Sequence, residues 1–157
     1  MDTTCYFLFS LSFFALTSIA HADIIIGYRG KGGAFDVNAF KEYANKRNLQ
    51  PFILNSFDTN NTITLINKHR NYQFYGYSMG AASVSYMMKV IRRKRLPDPK
   101  RIITVGAYRT VDVNYTKYKV PFINYFDRSG RGQRSPGIYI NVDHNKIMSY
   151  INKLMEK

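Results

Sequence analysis

Cysteine is almost absent from this chain: Cys5 is the single one. It falls in the first 22 residues, so a mature chain starting at Asp23 would hold no disulfide and would fold on its apolar core alone. Histidine is nearly as scarce, and beyond residue 22 only His69 and His144 remain. With no Cys/His cluster, a zinc or iron site of the usual composition is excluded, and no cofactor or metal is expected. Acids are few: 10 Asp and Glu stand against 23 Lys and Arg, for a net charge of +13. Asp2 is the one acid in the first 22 residues and no base lies there, so the mature balance is more basic still. Such a balance favours an anionic partner (a membrane surface, an acidic polymer or a nucleic acid) and is silent on fold. Long apolar runs are lacking too. The best, Tyr6 to Ile19, is broken by serines and a threonine and is too short for a comfortable membrane span. It ends in Ala20-His21-Ala22, an A-x-A cleavage pattern, although Met1-Asp2-Thr3-Thr4 carries no Lys or Arg. The expectation is a signal peptide over residues 1–22 and export to the periplasm or the exterior, with an uncleaved N-terminal anchor as its rival.

What remains, residues 23–157, has no repeat, low-complexity tract or linker and reads as one domain. Strand and helix patterns alternate along it. Asp23 to Gly27 is a short apolar run suited to a strand buried on both faces. A helix follows over Phe35 to Asn48, a strand over Pro51 to Asn55, and a helix from Thr62 to His69, capped by Asn60 or Asn61. A third strand spans Tyr72 to Tyr75, and a long helix runs from Gly80 to Arg95, stopped by Leu96-Pro97-Asp98-Pro99. Arg101 to Gly106, Val120 to Phe126 and Gly137 to Val142 complete six strands, and His144 to Met155 is a terminal helix or a loop leading into one. The fold class is α/β: a three-layer sandwich with a mainly parallel sheet of about six strands flanked by helices. Sites in such sheets lie at the carboxyl ends of the strands.

Between the third strand and the long helix stands Gly76-Tyr77-Ser78-Met79-Gly80, a G-x-S-x-G pentapeptide. The setting of strand, sharp turn and helix is that of a nucleophile elbow, where flanking glycines remove the Cβ atoms that would clash. The bland alternative is a tight turn with small residues for packing. An elbow serine needs a base and a carboxylate to orient it. In the order Ser, Asp/Glu, His, only His144 follows Ser78. His69 sits among Asn67, Lys68 and Arg70 and reads as a solvated helix-end residue. Of the intervening acids, Asp98 reads as turn chemistry, and Asp143 is too close along the chain to reach around the ring. Asp127, at the end of the fifth strand, is favoured, with Asp112 as runner-up.

On these residues the chain resembles a minimal, lidless α/β-hydrolase of the cutinase-like serine esterase and lipase type. The carry-over rests on a glycine loop after an early strand, on Gly76 to Gly80, on Asp127 after the penultimate strand and on His144 after the last. The resemblance implies Ser78 as nucleophile, His144 as general acid/base and Asp127 as its orienter. It also implies an oxyanion hole from the backbone N–H of Met79 and one of Tyr28 or Arg29. Two departures stand out. The usual His-Gly pair is replaced by Gly27-Tyr28-Arg29-Gly30-Lys31-Gly32-Gly33, and only Ala107 to Lys119 lies where many relatives insert a lid, so an open site is expected. The glycine loop fits neither G-x-G-x-x-G nor the P-loop, which argues against a nucleotide.

The bases fall into two groups. Lys89, Arg92 to Arg95, Lys100 and Arg101 surround the end of the long helix, where cations complement the helix dipole. Arg29, Lys31, Arg109, Arg128, Arg131 and Arg134 fall in strand-end loops, with Ser129 to Gly137 as a wall. There, with Tyr77, Arg109, Arg128 and Arg131 would bind substrate, the arginines docking its anionic groups. The expected function is an exported serine hydrolase cleaving carboxylic esters, anionic or lipid ones included, through an acyl-enzyme. The alternative is a non-catalytic exported basic protein on the same fold that binds an anionic surface or polymer. Nucleic acid is disfavoured: no binding motif is present, and the aromatics lie along strands instead of among the bases.

Overall fold

A computed structural model describes residues 23–108, 111–129 and 136–155. The signal-peptide expectation for residues 1–22 lies outside the described residues. Six strands form one sheet: β1 (Ile24–Tyr28), β2 (Gln50–Leu54), β3 (Tyr72–Tyr77), β4 (Arg101–Val105), β5 (Phe122–Phe126) and β6 (Ile138–Tyr139). Their order across the sheet is β2-β1-β3-β4-β5-β6, and every neighbouring pair is parallel. The α/β three-layer sandwich read from the sequence is therefore the fold observed.

The pattern of β1 shows why. All five of its residues are buried. Ile24, Ile26 and Tyr28 point into one core and Ile25 into the other, so the strand has no face left for water. Helices α2 (Thr59–His69) and α3 (Gly80–Lys94) cover the first face, together with Val113 and Tyr115 from the β4–β5 connection. Helices α1 (Val37–Asn45) and α4 (Ile147–Leu154) cover the second. Because parallel strands are joined by returning crossovers, α1, α2 and α3 begin at the carboxyl edge of the sheet and end at its amino edge.

Several element boundaries differ from the sequence reading, and three of them bear on the site or the caps. Helix α2 starts at Thr59, three residues early, because Asp58 and not Asn60 or Asn61 caps it. Its carboxylate accepts the Asn61 N–H at 3.3 Å and the Asn61 side-chain amide at 2.8 Å, and a charged acceptor suits the positive helix end. Strand β6 has two residues instead of six, since the Val142 N–H turns back to the Ile140 carbonyl at 2.8 Å and leaves the ladder. Strand β3 runs on to Tyr77, directly into the elbow.

Candidate active site

Ser78 occupies the turn between β3 and α3 with φ 52°, in the left-handed region that a side chain adopts only at a cost of about 1–2 kcal/mol. Its N–H stays on the sheet, donating to the Val105 carbonyl at 2.9 Å. The two glycines of the pentapeptide are there for close approach. A Cβ on Gly76 would lie 2.8 Å from Ala81 backbone atoms, and one on Gly80 would lie 2.2 Å from the Tyr28 carbonyl oxygen. Helix α3 thus springs off β3 directly against the end of β1, and brings Ser78 beside Gly30, whose added Cβ would stand 3.2 Å from that of Ser78.

Asp127 follows the last residue of β5 and is fully buried. A buried carboxylate needs donors. It has them: Oδ1 accepts the Ser129 N–H at 2.9 Å and the Ser129 hydroxyl, and Oδ2 faces His144 Nδ1 at 2.5 Å. The pairing is set by the backbone. The Ile140 N–H donates to Phe126 O at 2.8 Å and the Arg128 N–H to Val142 O at 3.1 Å, which lays the segment before His144 alongside the one carrying Asp127.

The His144 ring is held on two further sides. Tyr77 stacks on it with centroids 4.9 Å apart and planes inclined by 20°, and the Tyr77 hydroxyl donates to the His144 carbonyl at 3.1 Å. Gly106, at φ 58°, lies beneath: an added Cβ would stand 2.6 Å from Cε1 of the ring. Gly106 follows Val105, which accepts the Ser78 N–H, and Tyr77 precedes Ser78, so the imidazole sits over the two strand ends that flank the serine. Among the described residues, neither the Ser78 hydroxyl nor His144 Nε2 has a hydrogen-bond partner. Ser78 itself is only 5% exposed, so the site is less open than the sequence suggested.

The remaining site residues fall variously. The Met79 N–H, at the start of α3, takes no acceptor among the described residues. The two early-loop donors are not free. Tyr28 is a ladder residue, in register with Leu54 on one side and Gly76 on the other, and the Arg29 N–H donates to Leu54 O at 3.1 Å. The N–H groups without acceptors come later, at Lys31 and Gly32, in the first positions of a short 3-10 turn at Lys31–Gly33. Tyr77, expected at the substrate, turns its ring onto His144 instead and is only 5% exposed. The Arg29 guanidinium reaches the Gly33 carbonyl at 3.4 Å, and exposed Arg128 bonds the Asn141 side chain at 3.1 Å and lies 3.8 Å from Asp143. Arg109, Arg131 and Arg134 lie outside the described residues. Asp112 is kept from His144 by its own turn: it accepts the Asn114 N–H at 2.9 Å and lies 3.6 Å from Lys117. His69 is half-buried against the Phe52 ring, with centroids 5.7 Å apart, and not a solvated end. In the sequence Gly106 reads only as a strand end and Ser129 only as part of a loop wall, and the Asp-x-Ser spacing of Asp127 and Ser129 is the one signal of the second's role.

A groove of about 360 Å³ begins one helical turn past Ser78. It is lined by Ala82, Ser85, Tyr86 and Lys89 of α3 and, opposite, by Val111 and Tyr115. Among the described residues no group of three or more His, Cys, Asp or Glu could hold a metal.

The sequence matches no family model and no curated protein. Solved structures do match. One is RedJ, the thioesterase of the prodiginine biosynthetic pathway in Streptomyces coelicolor, at 10% identity and a TM-score of 0.58 over 88% of this chain and 84% of that one. A second RedJ structure, with a polyethylene glycol molecule in its active site, gives the same identity and TM-score and covers 90% of that chain. At this identity the likeness is one of fold alone, a hydrolase-like α/β sandwich.

Proposed function

We propose that the protein is a serine hydrolase of acyl substrates, with Ser78, His144 and Asp127 as its triad. The observation that carries the reading is the Asp127–His144 pair at 2.5 Å, its carboxylate fully buried, held beside the strand end from which Ser78 projects in a left-handed elbow. Ser78 Oγ attacks the acyl carbonyl and its proton passes to His144 Nε2. The C–O or C–S bond then breaks, and the proton goes to the leaving alcohol or thiol. Water repeats the sequence on the acyl-enzyme, with His144 again as base. Asp127 holds the imidazole in the tautomer that leaves Nε2 free to accept. The Met79 N–H is one oxyanion donor, and the early loop, which Gly30 brings beside Ser78, offers the unpartnered N–H groups of Lys31 and Gly32 for a second. The groove along α3 suits an extended acyl or alcohol moiety. An export signal over residues 1–22 favours an ester over a thioester on a cytoplasmic carrier.

The test is fluorophosphonate labelling of the folded protein beside Ser78→Ala and His144→Ala, followed by hydrolysis of matched short-chain oxygen esters and thioesters. Labelling lost in both variants is the expected result. The absence of a hydrogen bond between Ser78 and His144 favours a second reading, a binding protein on the same fold. Failure of the folded wild-type protein to label would put that reading first.

A further inference from the structure

The amino edge of the sheet carries charge that the catalytic edge does not use. There α1, α2 and α3 end, and Lys46, Arg47, Lys68, Arg70, Arg92, Arg93, Lys94, Arg95, Lys100 and Arg101 gather. The acids at this edge are already engaged: Glu42 with Lys46 at 2.9 Å, Asp23 with Lys100 at 2.9 Å and Asp98 with Arg92 at 3.0 Å. Lys68, Arg70, Arg93, Lys94 and Arg95 are exposed and have no acidic partner among the described residues.

Two of these arginines face a common space. Arg70 and Arg95 line a cavity of about 440 Å³ with Asn67 and an apolar floor of Ile66, Leu96 and Pro97. Both follow the last residue of a helix and both have φ 54°. Their backbones are pinned, the Arg70 N–H on Ile66 O at 2.9 Å and the following Leu96 N–H on Ile91 O at 3.0 Å. Arg95 ends its helix in the left-handed conformation, where glycine is the usual residue.

The third observation is continuity of the chain. On the uncleaved-anchor alternative for residues 1–22, their apolar run Tyr6 to Ile19 joins the described structure at Asp23, which Lys100 ties to this same edge. No helix among the described residues is long and apolar enough to cross a membrane.

We propose that the amino edge docks on an anionic phospholipid bilayer, with a lipid phosphate seated between Arg70 and Arg95 and the other free cations against neighbouring headgroups. The catalytic edge then faces away from the membrane and draws its substrate from the aqueous phase. The inference stands whether or not Ser78 is reactive.

The experiment is co-sedimentation of the full chain with phosphatidylcholine vesicles and with vesicles of phosphatidylcholine and phosphatidylglycerol, at low and at high salt. The ratio of the two affinities cancels what the apolar run contributes to both. Wild type should prefer the anionic vesicles, and salt should erase the preference. Arg70→Glu with Arg95→Glu should cut it by roughly 25-fold or more, from about five-fold per basic residue near the surface. Lys146→Glu, at the opposite edge, should leave it unchanged. Melting temperatures confirm folding, and Lys94→Glu alone supplies a milder second variant. Equal binding to neutral and anionic vesicles, or indifference to the double variant, overturns the proposal. So does tight binding of inorganic phosphate with no vesicle preference, which would make the cavity a site for a soluble anion.

Discussion

The two edges of the sheet hold charge in opposite ways. At the carboxyl edge Asp127 is fully buried, accepts from three donors and has its ring partner locked by Tyr77 and Gly106. At the amino edge the charges are mostly exposed and predominantly positive, and Lys68, Arg70, Arg93, Lys94 and Arg95 have no acidic partner among the described residues. The parallel fold prepares both conditions before any side chain is chosen. Helix N-termini point their free N–H groups at one edge, as at Met79, and helix C-termini favour cations at the other. Burial then separates the outcomes. A group fixed in low dielectric can act on one bond, whereas a screened array can act only on an extended partner.

The largest effect should come from Ser78→Gly. Removing the hydroxyl should lower ester hydrolysis by about 10,000-fold or more. Because the position has φ 52°, the same change should raise stability by about 1 kcal/mol, read as a higher urea midpoint. A lower midpoint would show that the elbow is unstrained and weaken its reading as a functional feature. Gly106→Ala comes next. Its Cβ would meet His144 at 2.6 Å and Asp127 at 3.0 Å, at φ 58°. Displacing the ring should cost about 100-fold in kcat, and the backbone strain about 1–3 kcal/mol of stability. Tyr77→Leu removes the stack and the hydroxyl bond to the His144 carbonyl but leaves the triad whole. A positioning role predicts about a ten-fold fall in kcat with KM unchanged. A rise in KM instead would return Tyr77 to the substrate.

The contrast between edges also marks how much the sequence could show. Strand order was not written in it, but six alternating units, the Gly76 to Gly80 turn and the order of Ser78, Asp127 and His144 were, because each depends on local pattern and chain sequence. What escaped depends on partners far along the chain. The Arg29 N–H is committed to Leu54, 25 residues on, which no loop pattern announces. Asp112 and Asp127 both follow strands, and what separates them is that β6 carries His144 to the second and not the first. Gly106 read as the end of a strand, and its need for a missing Cβ arises only once His144 lies above it.

The smallest effect should be found at the amino edge, and it tests the comparison from the other side. Arg95 terminates α3 in the left-handed conformation, with φ 54° and ψ 38°, and Ser78 precedes the N-cap of the same helix at φ 52°. If a side chain is kept at each against the backbone preference, replacing either by glycine should stabilise the fold and remove one property only. Arg95→Gly should therefore raise stability by about 0.5–1 kcal/mol, since its guanidinium has no partner to lose among the described residues. It should leave hydrolysis of a soluble ester unchanged and weaken the preference for anionic vesicles by roughly five-fold. If stability falls instead, Arg95 makes contacts that hold the helix end together, and the charge at this edge belongs to the fold and not to a partner.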